Sequence, residues 1–197
     1  VSHVFDNADT TNLAVNLNEA TITTTILSGT PTIPGTQFTV GVQVDPNMTG
    51  FTPVAASLRV AYNSDALTFV QVNDGQLGPA SASNEEGTAP NVYRDISTLG
   101  NGANADQTPT AFSLTFQVKP GASSYSILVS DDPGASNNLV ASDFSTSIPH
   151  NFNNTETTNI VPVSGNAVVK SSVVSGPVTA GSQFDVLVEV SSNSTGL

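Results

Sequence analysis

The chain has no cysteine and no tryptophan, a single methionine, two histidines, and only four lysines and arginines among 197 residues. Without cysteine, neither disulfides nor thiolate metal sites are available. Sixteen acidic residues against four basic ones give a formal charge of −12. Such a surface repels phosphate backbones and anionic membranes, which argues against nucleic-acid binding. No run of about 20 apolar residues occurs, so membrane insertion through a helix is not expected. Residues 1–30 lack the basic and apolar regions of a signal peptide. Only 10% of residues are charged, and polarity comes mainly from Thr, Ser and Asn. That balance suits a structural protein of the extracellular space or cell surface better than a cytosolic enzyme.

What the sequence does have is an echo. His3 to Asn12 reads HVFDNADTTN and His150 to Asn159 reads HNFNNTETTN. His3, Phe5, Asn7, Thr10, Thr11 and Asn12 all return 147 positions later (150 − 3). Several mismatches keep their chemistry: Asp9 becomes Glu156, Leu13 becomes Ile160, Asp6 becomes Asn153. After a one-residue deletion the match resumes, GTQFTVGVQV from Gly35 against GSQFDVLVEV from Gly181. Periodic self-similarity of this kind is the signature of tandem units, here of about 147 residues. The expected division is residues 1–24 as the end of a preceding unit and a junction, 25–171 as one complete unit, and 172–197 as the opening strands of the next.

Within the unit, short runs alternate apolar and polar residues and break at Gly, Pro, Asn or Asp, the pattern of half-buried strands. Phe38, Val40, Val42 and Val44 share one face, as do Leu58, Val60 and Tyr62. Phe112, Leu114, Phe116 and Val118 form the cleanest alternation. Leu67 to Val72 places Leu67, Phe69 and Gln71 on one face and Thr68, Val70 and Val72 on the other. Asn63 to Leu67 reads as a short turn with a polar cap. Residues 73–91 and 99–109 read as solvated excursions, with a binding surface as the alternative. The fold class is all-β, an antiparallel β-sandwich.

Three stretches in order resemble a cohesin-like domain, one of the β-sandwiches related to carbohydrate-binding modules. They are PGTQFTVGVQVD (Pro34 to Asp45), AASLRVAYNSDALTFVQVNDGQL (Ala55 to Leu77) and TAFSLTFQVKPGASSYSILVSDD (Thr110 to Asp132). Val163 to Val169 fits a closing strand. The resemblance implies a jelly-roll-like sandwich that binds or connects and does not catalyse. Cellulosomal members of that family recognise dockerin modules through one sheet face; many relatives occur without such a partner.

The residues themselves give little support to catalysis. His3 and His150 occupy one repeat position, so a unit carries a single histidine, which reads as a junction residue rather than part of a triad. Glu85 and Glu86 are adjacent and do not oppose one another across a sugar ring. Calcium is the most plausible cofactor, since hard cations take several carboxylate and carbonyl oxygens. Asp131, Asp132 and Asn137 offer these in one turn, and Asp6 and Asp9, mirrored by Glu156, offer them at the junction. Asp and Asn also form ordinary turns. Sequons place glycosylation candidates at Asn47, Asn153 and Asn193. Phe184, Val186 and Val188 are the apolar face of the late opening strands and mark a contact between repeats or subunits.

The leading expectation is a structural module of an extracellular fibre, surface layer or long adhesin, built head to tail from copies of the same unit into a filament. The alternative is a cohesin-type recognition module for a dockerin-like partner. A weaker alternative is a glycan-binding accessory domain. Glycan platforms need exposed aromatics, and the chain offers only Tyr62, Tyr93 and Tyr125 beyond its phenylalanines.

Overall fold

The computed structural model describes residues 19–46, 49–100, 108–163, 168–175 and 185–191. Among the described residues there are thirteen strands, the longer ones built on apolar alternation interrupted at turn formers: β1 (Ala20–Gly29), β2 (Gln37–Asp45), β3 (Pro53–Asn63), β4 (Leu67–Asp74), β5 (Ala80–Ala82), β6 (Glu86–Thr88), β7 (Asn91–Leu99), β8 (Thr110–Val118), β9 (Ile127–Asp131), β10 (Leu139–Ala141), β11 (His150–Asn153), β12 (Val168–Ser175) and β13 (Asp185–Ser191). Among the described residues no helix is long and apolar enough to cross a membrane.

Two sheets make the sandwich. One has the order β11-β1-β2-β8-β4; the other has β10-β3-β7-β5, with β6 added to β7 and β9 to β3. Their inner faces supply one core, in which Phe38, Phe112, Phe116, Leu58, Ile96 and Ile127 are fully buried. Phe116 lies at the centre, packed edge-on to Tyr62 and Phe69 and stacked with Phe38. Aromatic pairs at these separations add about 0.5–1.5 kcal/mol beyond area burial.

Three details depart from simple alternation. First, β4 is bulged: Phe69 pairs with Phe116, but Gln71 pairs with Thr115. The extra residue, Val70, reverses the faces beyond it. Val72 therefore packs on the core, while Gln71 faces out and bonds Asn73, opposite to the expected alternation. Second, residues 73–91 are not a bare excursion, since β5 and β6 pair with β7 inside them. Third, the strand closing the first sheet is β11, which runs parallel to β1 from Ala20↔His150 to Thr23↔Asn153. The stretch expected to close it, Val163 to Val169, does not: residues 164–167 lie outside the described residues, and Val168 begins a strand paired with β13. HNFN is short and polar, so periodicity gives it no strand signal.

The echoed motif is the clasp of the sandwich. Beyond β11, the Asn154 side chain brackets Val129 of the other sheet, donating to its carbonyl and accepting from its N–H, each at 3.0 Å. The buried Thr157 hydroxyl lies 2.7 Å from that of Thr24 on β1 and donates to the Ile127 carbonyl on β9 at 2.6 Å. Glu156 accepts from the Ile26 N–H at 3.0 Å, satisfying β1's edge where β11 has ended. One segment thus joins the edge of the first sheet to β9 of the second.

Chain direction follows from two hydrogen bonds. The Ala20 N–H meets the Pro149 carbonyl at the start of β1, whereas the Val163 N–H meets the Thr32 carbonyl just beyond its end. These points are separated by the length of β1, roughly 30 Å at about 3.3 Å per residue. The strand itself crosses the division expected between residues 24 and 25, with Ala20 and Ile22 fully buried.

Separately, β12 and β13 pair as an antiparallel hairpin. Its rungs reproduce those of β1 and β2. Ile22↔Val44 corresponds to Val169↔Val190, Thr24↔Val42 to Ser171↔Val188, and Ile26↔Val40 to Val173↔Val186. The irregularity between Ile26 and Ser28 returns between Val173 and Ser175.

The clasp predicts a stability effect. Thr157→Val removes the buried bonds to the Thr24 hydroxyl and the Ile127 carbonyl, leaving Thr24 only longer contacts to Asn153 and Asn154, and should cost about 1–3 kcal/mol. Thr158→Val, on an exposed hydroxyl, should change stability by less than about 0.5 kcal/mol. Urea unfolding midpoints at constant slope would measure both; equal midpoints would reject the clasp.

Candidate interaction face

The two outward faces of the sandwich differ in chemistry. The face of β1-β2-β8-β4 presents hydroxyls and amides, among them Thr23, Thr25, Gln43, Thr115 and Gln71. Side-chain hydrogen bonds run across it, Thr25 to Gln43 and Asn73 to Ser113 and Thr115. Among the described residues of these four strands, no arginine and no aromatic ring faces outward. The face of β3-β7-β9 carries both.

Register places the charged pair there. Arg59 on β3 lies directly opposite Asp95 on β7 and, on its other side, opposite Ser130 on β9. Two parallel N–H···O bonds join the guanidinium to Asp95, at 2.8 and 3.0 Å. The same guanidinium stands 3.7 Å over the ring of Tyr93. Hydrogen bonding to Asp95 raises the Arg59 pKa against the cost of burial. Tyr93 donates to Glu86 at 2.9 Å, which fixes its ring and raises its pKa. Arg59, Tyr93 and Asp95 form a rigid ridge between two shallow depressions. One, of about 370 Å³, is bordered by Tyr93, Ala61, Ser126 and the exposed Leu128. The other, of about 330 Å³, is bordered by Asp95, Ser81, Ser97 and Asp132. A stacked, bidentate arginine with an aromatic neighbour is the composition of interface anchors.

Arg94 points the other way, into the mouth of the sandwich. It stands 4.5 Å from the Phe69 ring and donates to the Ser83 carbonyl and the Tyr62 hydroxyl. Tyr62 in turn donates to Glu85. This group seals the strand end and leaves the outer face to Arg59.

The residues singled out from the sequence fall in several places. His150 is built into the clasp: its ring nitrogens lie 2.8 Å from Asp131 and 2.8 Å from the Ile148 carbonyl. Asp131 is thereby engaged with His150. Asp132 accepts from the Gly134 N–H within its own turn, and its N–H is held by Asn138, while Asn137 is exposed. Glu156 serves β1. Among the described residues no three His, Cys, Asp or Glu side chains gather around one point. Asn153 is exposed and its side chain accepts from the Thr155 hydroxyl. Val186 and Val188 are exposed. His3, Asp6, Asp9, Asn47, Phe184 and Asn193 lie outside the described residues. Sequence reasoning missed Arg59 and Asp95. The available signal was an arginine inside the alternation SLRVAY, in a chain with four basic residues.

Taken together, these features define an antiparallel β-sandwich with one core and two chemically different outward faces. The cohesin domain family matches residues 22–148, and the chain belongs to that family. Among solved structures it is similar to the sixth cohesin of scaffoldin B from Acetivibrio cellulolyticus, crystallised with a dockerin, at 15% identity and a TM-score of 0.50, covering 69% of this chain and 95% of that one. It is also similar to the seventh type I cohesin of ScaB from Pseudobacteroides cellulosolvens, at 14% identity and 0.52, covering 75% and 94%. These likenesses carry the fold. No curated protein matches.

The tyrosines give a test of this geometry. Burial first, then the bond to Glu85, pushes Tyr62 up to about 12; burial raises Tyr125 as well. Both folded values exceed the unfolded one of about 10. The stabilisation is therefore present below that pH and lost as pH rises through the folded values. Absorbance at the tyrosinate band should reach half its amplitude near pH ~10 in denaturant and lag well behind that in the folded chain. Coincident titration curves for the folded and denatured chains would contradict the packing.

Proposed function

We propose that the chain is a cohesin-type recognition module, working outside the cell, that holds a dockerin-like protein on the β3-β7-β9 face. The observation that carries this reading is the chemical difference between the two outward faces: among the described residues, the arginine-aromatic anchor stands on the β3-β7-β9 face alone. The module is not an enzyme; it offers a surface, and affinity comes from burying Arg59, Tyr93 and Leu128 against a complementary partner. The glycan-binding alternative is weakened because Tyr62 and Tyr125 are buried, and the exposed Phe51 and Phe144 stand on separate loops away from Tyr93. Binding by a panel of purified dockerin modules is the test. Arg59→Ala or Tyr93→Ala should weaken a bound dockerin at least ~10-fold, while Thr115→Asp on the opposite face should not. Silence of the whole panel, or equal losses from both faces, would reject the assignment.

A second reading, a stiff array of such units in a surface fibre or adhesin, is favoured by the chain path. The chain enters the sandwich beside Pro149 and leaves it beside Thr32, at the far end of β1. Units joined head to tail along this path would lie end to end. Small-angle scattering of several units in succession should give a rod-like profile. A compact profile would remove this reading.

A further inference from the structure

Among the described residues outside β12 and β13, eight large apolar side chains are exposed, and five of them stand at the ends of the sandwich rather than on its faces. Phe51, Leu99 and Phe144 share the end at which β1 starts. Leu99 closes β7 opposite Ala55, and Phe51 shortly precedes the start of β3 at Pro53. The Phe144 N–H bonds the carbonyl of Ala141, which pairs with Pro53. Ile148, bonded to Leu139 of β10, leads into the Pro149 carbonyl that meets Ala20, so the two sheets end together here. Val161 and Val163 stand at the opposite end, beyond the Tyr125–Ile160 bridge and beside Thr32. Phe144 is 62% exposed and Val161 59%. Exposed apolar groups of this size sharing one surface mark a contact.

The chain itself brings such ends together. β12 and β13 repeat the rungs of β1 and β2, so Val168 occupies the place of Thr21, opposite Ser191 in the place of Asp45. Val168 therefore belongs to the starting end of the next unit, while Val163 is bonded to the far end of this one. Five peptide steps separate the two (168 − 163), a reach of at most about 18 Å. That is little more than half the roughly 30 Å spanned by β1, and it leaves no room for a spacer between folded ends. The sequence keeps the apolar character of the joint. Counting 146 positions on from Phe51 (197 − 51), as from Asp45 to Ser191, gives Leu197.

We propose that these two ends form an apolar joint between successive units, a contact that rests on the reading of the protein as a stiff array. Val161 and Val163 of one unit pack against the Phe51, Leu99 and Phe144 positions of the next. The occupant is a folded copy whose end groups are already exposed, so no strand leaves its sheet to make the contact.

Continuing the sequence after Leu197 with its own residues 52–163 gives two complete units, and the absence of cysteine lets one thiol be placed at will. Val163→Cys in the first unit should react with a soluble aromatic disulfide at least ~10-fold more slowly than in the chain of one unit. Val70→Cys, exposed on a face, should react equally in both. Leu197→Ser together with Phe144→Ser, the latter in the second unit only, should restore the fast reaction at Val163→Cys. Equal rates for Val163→Cys in the two chains, or slowing that survives the paired substitution, would overturn the joint. Small-angle scattering of the same two-unit chain separates the two readings. A rod-like profile with a fast thiol overturns the joint and leaves the array standing, whereas a compact profile overturns both.

Discussion

Everything in this sandwich depends on how the outer edge of β1 is closed. A strand at a sheet margin leaves N–H and C=O groups in need of partners and invites pairing with other chains. Here β11 covers Ala20 to Thr23, Glu156 takes the Ile26 N–H, and the Thr24 hydroxyl meets Thr157 between them. Because Thr157 and Asn154 also hold β9, closing that edge fixes the second sheet against the first. The polar clasp thereby sets how β3 and β9 sit, and so where the Arg59 ridge stands.

The core strands were legible in the sequence because one face of each is buried and the other is wet, which writes a period of two into β2, β3 and β8. Legibility failed where that condition fails. β11 is held by a backbone ladder and polar side chains, so HNFN carries no alternation. In β4 a single inserted residue, Val70, reverses the period halfway. The echo identified the clasp residues as a group, yet their role could not be read, because asparagine and threonine serve turns, metals and clasps alike. The candidate face was legible only in part. Arg59 and Asp95 are separated by 36 positions, and only the β3–β7 register makes them a pair.

The two outward faces of the sandwich differ in what their side chains present. On one side hydroxyls and amides hydrogen-bond with each other, beside the exposed Leu27 and Val70. On the other side, cross-strand pairing uses one arginine twice, as an ion-pair partner and as a lid over Tyr93. Such a ridge loses little side-chain freedom on binding because its rotamers are already fixed. In a chain with so few basic groups, that arginine also stands out against an acidic surround.

The parallel pairing of β1 with β11 has a mechanical meaning. Tension applied along the chain pulls β1 from its start and β11 from its end, in opposite senses along neighbouring strands. The rungs from Ala20 to Thr23 are then sheared together, with the Thr24–Thr157 contact and the Asn154 bracket in line behind them. Strands peeled apart like a zipper yield one bond at a time; these must yield at once. The motif that closes the sandwich is therefore also where it would resist being drawn open.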